Sequence, residues 1–218
     1  MFRVILYSQW KWSRLIVVVG TVAAFALPVI SMQGATASAR GPLQTQELLR
    51  AVQSWGTLYP VLAAALGLLV AIATWAADHR GRHIHALTLP IPRWRYVLLR
   101  FAAGVTLLAG PVLAVLLGAV LATAMATIPP GLQGYPIALA LRFAIAVLVA
   151  YAVFFAISAG TARTAGVILG AIGALVLIQV LANLANLELN LLSVLQLVVL
   201  NWPGPFAVFT GRWMLVDV

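Results

Sequence analysis

The chain has no cysteine, a single lysine and only four acidic residues among its 218. The missing cysteine excludes disulfides, thiol catalysis and cysteine-ligated metal centres, and leaves the compartment open. The lysine, Lys11, stands in QWKWS. A phosphate-cradling P-loop needs lysine in Gly-x-x-x-x-Gly-Lys-Ser/Thr, so this chain carries no such ATP site. The acids Glu47, Asp78, Glu188 and Asp217 lie far apart in sequence and form no close pair for acid–base or two-metal chemistry. There is no Gly-x-Ser-x-Gly nucleophile elbow and no repeat of about 20 to 50 residues.

What is abundant is oil. Hydrophobic residues make up 64% of the chain and charged residues 8%, where soluble domains carry about a quarter charged. Apolar stretches of about 20 residues recur, the mark of an all-α integral membrane protein, because a helix satisfies its own backbone in lipid. Five spans read clearly: Leu15–Met32, Leu58–Ala77, about Phe101–Ile128, about Tyr135–Ala159 and Ala165–Asn183. Pro111 lies inside the third, a site for a kink. The whole chain reads as one transmembrane domain, 1–218.

The short loops set direction. Arg3, Lys11, Arg14, Arg80, Arg82, Arg93, Arg95, Arg100 and Arg163 collect on one side. The other side has Arg40 and Arg50, joined by Arg212 if the C-terminal segment lies there. The basic side is expected to be cytoplasmic, which puts the N-terminus inside the cell membrane that the chain crosses. Topology thus accounts for the formal charge of +9 without a nucleic-acid partner.

Residues 1–14, MFRVILYSQWKWSR, set Arg3, Tyr7, Lys11 and Arg14 on one helical face and Phe2, Leu6 and Trp10 on another. This pattern predicts an interfacial elbow helix ahead of the spans. A cleaved secretory signal is the competing reading, with ATASA at Ala35–Ala39 as the cleavage site. Between the first two spans, Gln33–Thr57 is a polar loop with a short helix expected at Gln44–Trp55. Beyond the fifth span, Leu189–Leu200 is too short to cross and Asn201, Pro203, Gly204 and Pro205 break any helix. Residues 184–218 are expected as a re-entrant hairpin on the outer side, or as a weak, broken sixth span.

Asp78–Arg95, DHRGRHIHALTLPIPRWR, holds all three histidines and four arginines between two spans. As a metal site it offers Asp-His-x-x-x-His-x-His. Gly81 interrupts the helix, and Arg80 and Arg82 oppose a divalent cation, so no metal is expected there. As a surface, His83–Leu89 forms about two helical turns below the bilayer with Ala86, Leu87 and Leu89 apolar. Pro90 and Pro92 end it, and Trp94 and Tyr96 mark the interface. A helix so placed suits docking by another protein; the plainer alternative is a tight basic loop.

This stretch resembles the loop after the second span in the type-2 export family of ABC transporter permeases. There a glutamate ends the span, and a short helix reading Leu-Leu-Ser/Thr-Leu-Pro-Val-Ser-Arg leads to a basic residue. Here Asp78 stands in the glutamate's place, Gly81 keeps the spacing to Pro90, LTLPIPR (Leu87–Arg93) matches the helix end and Arg100 takes the later basic position. Arg82 replaces the usual threonine. The N-terminal leader and the weak hairpin after the fifth span are also similar to that family's layout.

The resemblance implies a membrane subunit of an ATP-driven exporter that is not itself an enzyme. ATP and Mg would bind a separate nucleotide-binding ATPase, and a second permease chain, identical or related, would complete the pore. His83, Ile84, His85, Ala86, Leu87, Thr88 and Leu89 would be the coupling helix. Asp78, Arg80, Arg82, Pro90 and Arg93 would support it, with Asp78 pairing Arg80, Arg82 or Arg14. The second and fifth spans border the path in such permeases, which makes Thr74, Trp75, Gln179 and Asn183 candidates to line it for a hydrophobic or amphipathic cargo. Polar helix packing accounts for the same four residues equally well. Arg142, the one charge within a span, is placed to snorkel outward or to pair with Glu188. Three other classes compete: a secondary transporter or channel, which would need mid-membrane acids or histidines; a membrane enzyme, which would need a polar catalytic cluster; and a non-transporting anchor.

Overall fold

The structure, a computed structural model, describes residues 1–38, 44–80, 92–126, 132–159 and 206–217, together with 170, 174 and 178. The described chain is mainly helical: α1 (Phe2–Ser38), α2 (Gln44–Gly56), α3 (Leu58–Arg80), α4 (Arg93–Met125) and α5 (Pro136–Ala159). Two strands of two residues, β1 (Gln133–Gly134) and β2 (Val216–Asp217), and a 3-10 turn, Ala207–Phe209, complete it. Among the described residues four helices are long and apolar enough to cross a membrane, and they carry the first four expected spans. The expected fifth span lies outside the described residues, apart from Gly170, Ala174 and Ile178, which are helical.

The leader is not a separate elbow. Residues 2–38 form one unbroken helix, about 55 Å long at 1.5 Å per residue. Nothing between Arg3 and the first span breaks it. Tryptophan, lysine, glutamine and arginine all tolerate a helix, and the Ser13 hydroxyl donates to the Gln9 carbonyl one turn back (2.8 Å) rather than capping a new start. Pro28, inside the helix, lacks an N–H for the preceding turn; nearby, Ser31 Oγ donates to the Pro28 carbonyl (2.9 Å). The polar loop does hold its short helix: α2 spans Gln44–Gly56, one residue beyond the expected end.

Helix α1 packs most extensively on α4, and α3 on α5, with α4 also touching α5 and α1 touching α3. Small residues let the backbones approach. A Cβ on Gly67 of α3 would lie 2.6 Å from Ala150 Cβ and 2.7 Å from the Tyr151 nitrogen of α5, and one on Gly118 of α4 would collide with the Phe25 carbonyl of α1. Close helix packing of this kind substitutes for a hydrophobic driving force that lipid does not supply. The outward faces carry Val18, Val22, Leu113, Leu117, Ile137, Leu141 and Ile145, all well exposed, as lipid contact requires.

The C-terminal segment returns to the bundle. β2 pairs antiparallel with β1, Gln133 opposite Asp217 and Gly134 opposite Val216, and Tyr135 N–H donates to the Leu215 carbonyl (2.8 Å). That end of the bundle also carries α2, while Arg3, Arg93 and Arg95 lie at the other. Of the expected outer hairpin, residues 184–205 lie outside the described residues; 206–217 form a strap across the end of the bundle that carries α2.

Candidate functional site

Four helices meet in one polar and aromatic layer near the basic end, centred on Arg100 of α4. From this layer to the opposite helix ends, α1, α3, α4 and α5 run on for 15 to 25 residues, as the distances from Ser13, Trp75, Arg100 and Tyr151 show. At 1.5 Å per residue that is roughly 22 to 38 Å, close to the thickness of a hydrocarbon core. The layer therefore sits at one boundary of the apolar slab.

The Arg100 side chain is buried, 5% exposed. Its guanidinium lies over two rings, Trp75 of α3 at 5.1 Å and Tyr96, one turn back on α4, at 5.2 Å. Arginine is the cation suited to this place, since its flat, weakly hydrated head stacks on aromatic faces. On the far side Trp75 meets Phe155 of α5 (5.2 Å), and Phe101, Tyr151 and Phe155 close a triangle of rings 5.2–5.5 Å apart. Helix α1 joins through Gln9, whose Nε2 donates to the Arg100 carbonyl (3.1 Å). Gln9 Oε1, Trp75 Nε1 and the Tyr151 hydroxyl are buried with no hydrogen bond of good geometry, although the hydroxyl lies beside Thr74 and Arg100. A Cβ on Gly104 would overlap that hydroxyl.

The layer gathers part of what the sequence marked. Thr74 and Trp75, candidates for a path, are both buried between helices of this chain, and the Thr74 hydroxyl is spent on the Val70 carbonyl (2.8 Å). Their surroundings within the described residues are helix packing. Gln179 and Asn183 lie outside the described residues, as do Arg82, the whole of His83–Leu89 and Pro90. Asp78 and Arg80 fall in the last turns of α3, with side chains outside the described set, and Arg93 opens α4 exposed to solvent. Among the described residues no group of histidine and acidic side chains could hold a metal ion.

Gln9, Ser13, Tyr151 and Phe155 were not singled out by the sequence reading. A signal was present: Gln9 and Ser13, four apart, put two polar groups on one face of a helix otherwise destined for lipid, and both prove buried. Arg142 is likewise better connected than its sequence suggests. It donates from Nε to the Val208 carbonyl (3.4 Å), from Nη1 to the Arg212 carbonyl and from Nη2 to the Thr210 carbonyl, and its guanidinium sits 4.6 Å over the Trp213 ring. Glu188, the partner expected for it, is outside the described residues. No family model, curated protein or solved structure matches the chain.

Proposed function

We propose that the chain is the membrane subunit of an ATP-driven exporter of the ABC type, worked from the cytosol by a separate ATPase. The observation that carries this reading is the Arg100 layer and its position. It lies between five and eight residues from the ends of α3 and α4, the helices joined by the segment whose sequence resembles a coupling helix. A push on that segment reaches α3 through Thr74 and Trp75 and α4 through Arg100. The same contacts pass it to α1 through Gln9 and to α5 through Tyr151 and Phe155. Such a tie converts a local displacement into a rigid-body shift of four helices, which is what alternating access needs. In this reading ATP and Mg belong to the partner, a second permease chain faces this one, and the N-terminus is cytoplasmic in the cell membrane.

The test is whether a P-loop ATPase is encoded in a neighbouring reading frame and co-purifies with this chain from membranes, followed by Leu87→Asp. The expected result is loss of ATPase binding, or of ATP-driven transport, with the helical content and melting of the permease unchanged. Full transport by Leu87→Asp overturns the coupling role.

A further inference from the structure

At the end of the bundle opposite Arg100, the strap 206–217 borders an open cleft of about 320 Å³ against the first turns of α5. Its lining is rich in donors. Tyr135, Arg142 and Arg212 carry polar hydrogens, Asp217 alone carries a carboxylate, and Ala138, Leu139, Met214 and Trp213 complete the lining. Tyr135, Ala138, Leu139 and Arg142 recur at helical spacing, so one face of the chain entering α5 forms a side of the cleft.

One of these donors is held without its bonding capacity being filled by the strap. A guanidinium has five N–H groups, and Arg142 spends three on the carbonyls of Val208, Thr210 and Arg212. Those acceptors are uncharged. Trp213 is 4% exposed, packed under Arg142 and stacked on Tyr59 at 6.3 Å, and its buried Nε1–H has no partner among the described residues. The strap is shaped to keep Arg142 in place. Gly211 has φ +82°, and a Cβ there would lie 3.3 Å from Arg142 Nη2. Two arginines against one carboxylate leave the lining net positive, on an apolar floor at a membrane boundary.

We propose that this cleft binds the acidic headgroup of an amphiphile, a phosphate ester taken from the adjacent leaflet. Arg142 and Arg212 would meet the phosphate oxygens, Tyr135 would donate to a remaining acceptor, and Ala138, Leu139 and Met214 would lie along the first carbons of the chain. Guanidinium groups suit phosphate oxygens through paired, charge-assisted N–H bonds. The volume accommodates a small headgroup, and the site stands whether or not the chain is an exporter.

The test titrates the full chain, in neutral maltoside micelles, with short-chain phosphatidylglycerol, short-chain phosphatidylcholine or glycerol phosphate, reading the melting temperature. Phosphatidylglycerol is expected to protect saturably and at least about tenfold more tightly than phosphatidylcholine. Arg212→Gln, which alters an exposed side chain and keeps the backbone carbonyl that Arg142 uses, should weaken phosphatidylglycerol about tenfold, while Arg50→Gln on α2 at the same end should not. Protection by glycerol phosphate at equal concentration assigns the site to a soluble phosphate ester with the same contacts. The proposal fails if phosphatidylglycerol binds no better than phosphatidylcholine, if Arg212→Gln binds it as the parent does, or if Arg50→Gln weakens it equally.

Discussion

The guanidinium of Arg100 lies 5.1 Å above the ring of Trp75, joining α4 to α3 inside the bundle rather than at its surface. Arg100→Lys should therefore destabilise the protein although the charge is kept. Lysine replaces a flat ion held between two rings with a strongly hydrated point charge. Loss of the stacking, at about 0.5–2 kcal/mol per desolvated ring, predicts a destabilisation of about 1–3 kcal/mol in unfolding from mixed micelles. Trp75→Leu should cost a similar amount, and the double variant less than the sum, because the two residues share one contact. Strict additivity would show that they do not interact.

Tyr151 and Gly104 make a second, sharper pair. The hydroxyl occupies the space that a methyl group on Gly104 would need. Gly104→Ala is expected to cost about 1–3 kcal/mol by overpacking. Tyr151→Phe alone should be close to neutral, since the hydroxyl has no well-formed bond to lose among the described residues. Combined with Gly104→Ala, it should recover most of the loss. Unfolding curves of the three variants decide this, and failure of Tyr151→Phe to rescue would remove the steric explanation.

These two pairs show what was and was not legible in the sequence. Span positions follow from composition alone, so α3, α4 and α5 begin and end at most eight residues from expectation, and Gln44–Gly56 announced itself by its polarity. The Arg100 layer did not. Its members sit at 9, 75, 100 and 151, on four helices whose mutual rotation no single periodicity sets. Thr74 and Trp75 were noticed because polar groups stand out in oil, but sequence could not say whether they faced a lumen or Arg100. The elbow was misread for a related reason: an amphipathic pattern reports faces, not a turn, and residues 1–14 contain neither glycine nor proline to make one. Arg142 drew attention as a lone intramembrane charge, yet its partners are main-chain carbonyls, which leave no trace in side-chain identity.

The strap offers a direct geometric test. Gln133 and Asp217 are opposite each other in an antiparallel pair, where Cα atoms are about 4.5–5.5 Å apart, within disulfide range. The chain has no cysteine of its own, so Gln133→Cys with Asp217→Cys should cross-link cleanly on mild oxidation, detected as a mobility shift reversed by reductant. Adding Arg142→Gln removes the charged donor from three strap carbonyls, interactions worth about 1.5–3 kcal/mol each when made to an ion. The yield of cross-link should then drop. An unchanged yield would mean that strand pairing, and not Arg142, holds the strap.

Orientation is the assumption that links the two ends of the molecule, and it can be read on intact cells. In the proposed orientation the arginine-rich end around α3 and α4 faces the cytoplasm, and α2 with the strap faces outward. In the cysteine-free background, Gln53→Cys on α2 and Arg93→Cys at the start of α4 are both exposed positions at opposite ends of the bundle. A membrane-impermeant maleimide should label position 53 in intact cells and position 93 only after permeabilisation. The reverse pattern would put the segment that resembles a coupling helix on the wrong side for any cytosolic ATPase. It would also move the Arg142 cleft to the inner leaflet without altering its chemistry, so the two proposals would separate: the exporter reading would fall, and the phosphate-ester site would still be open to titration.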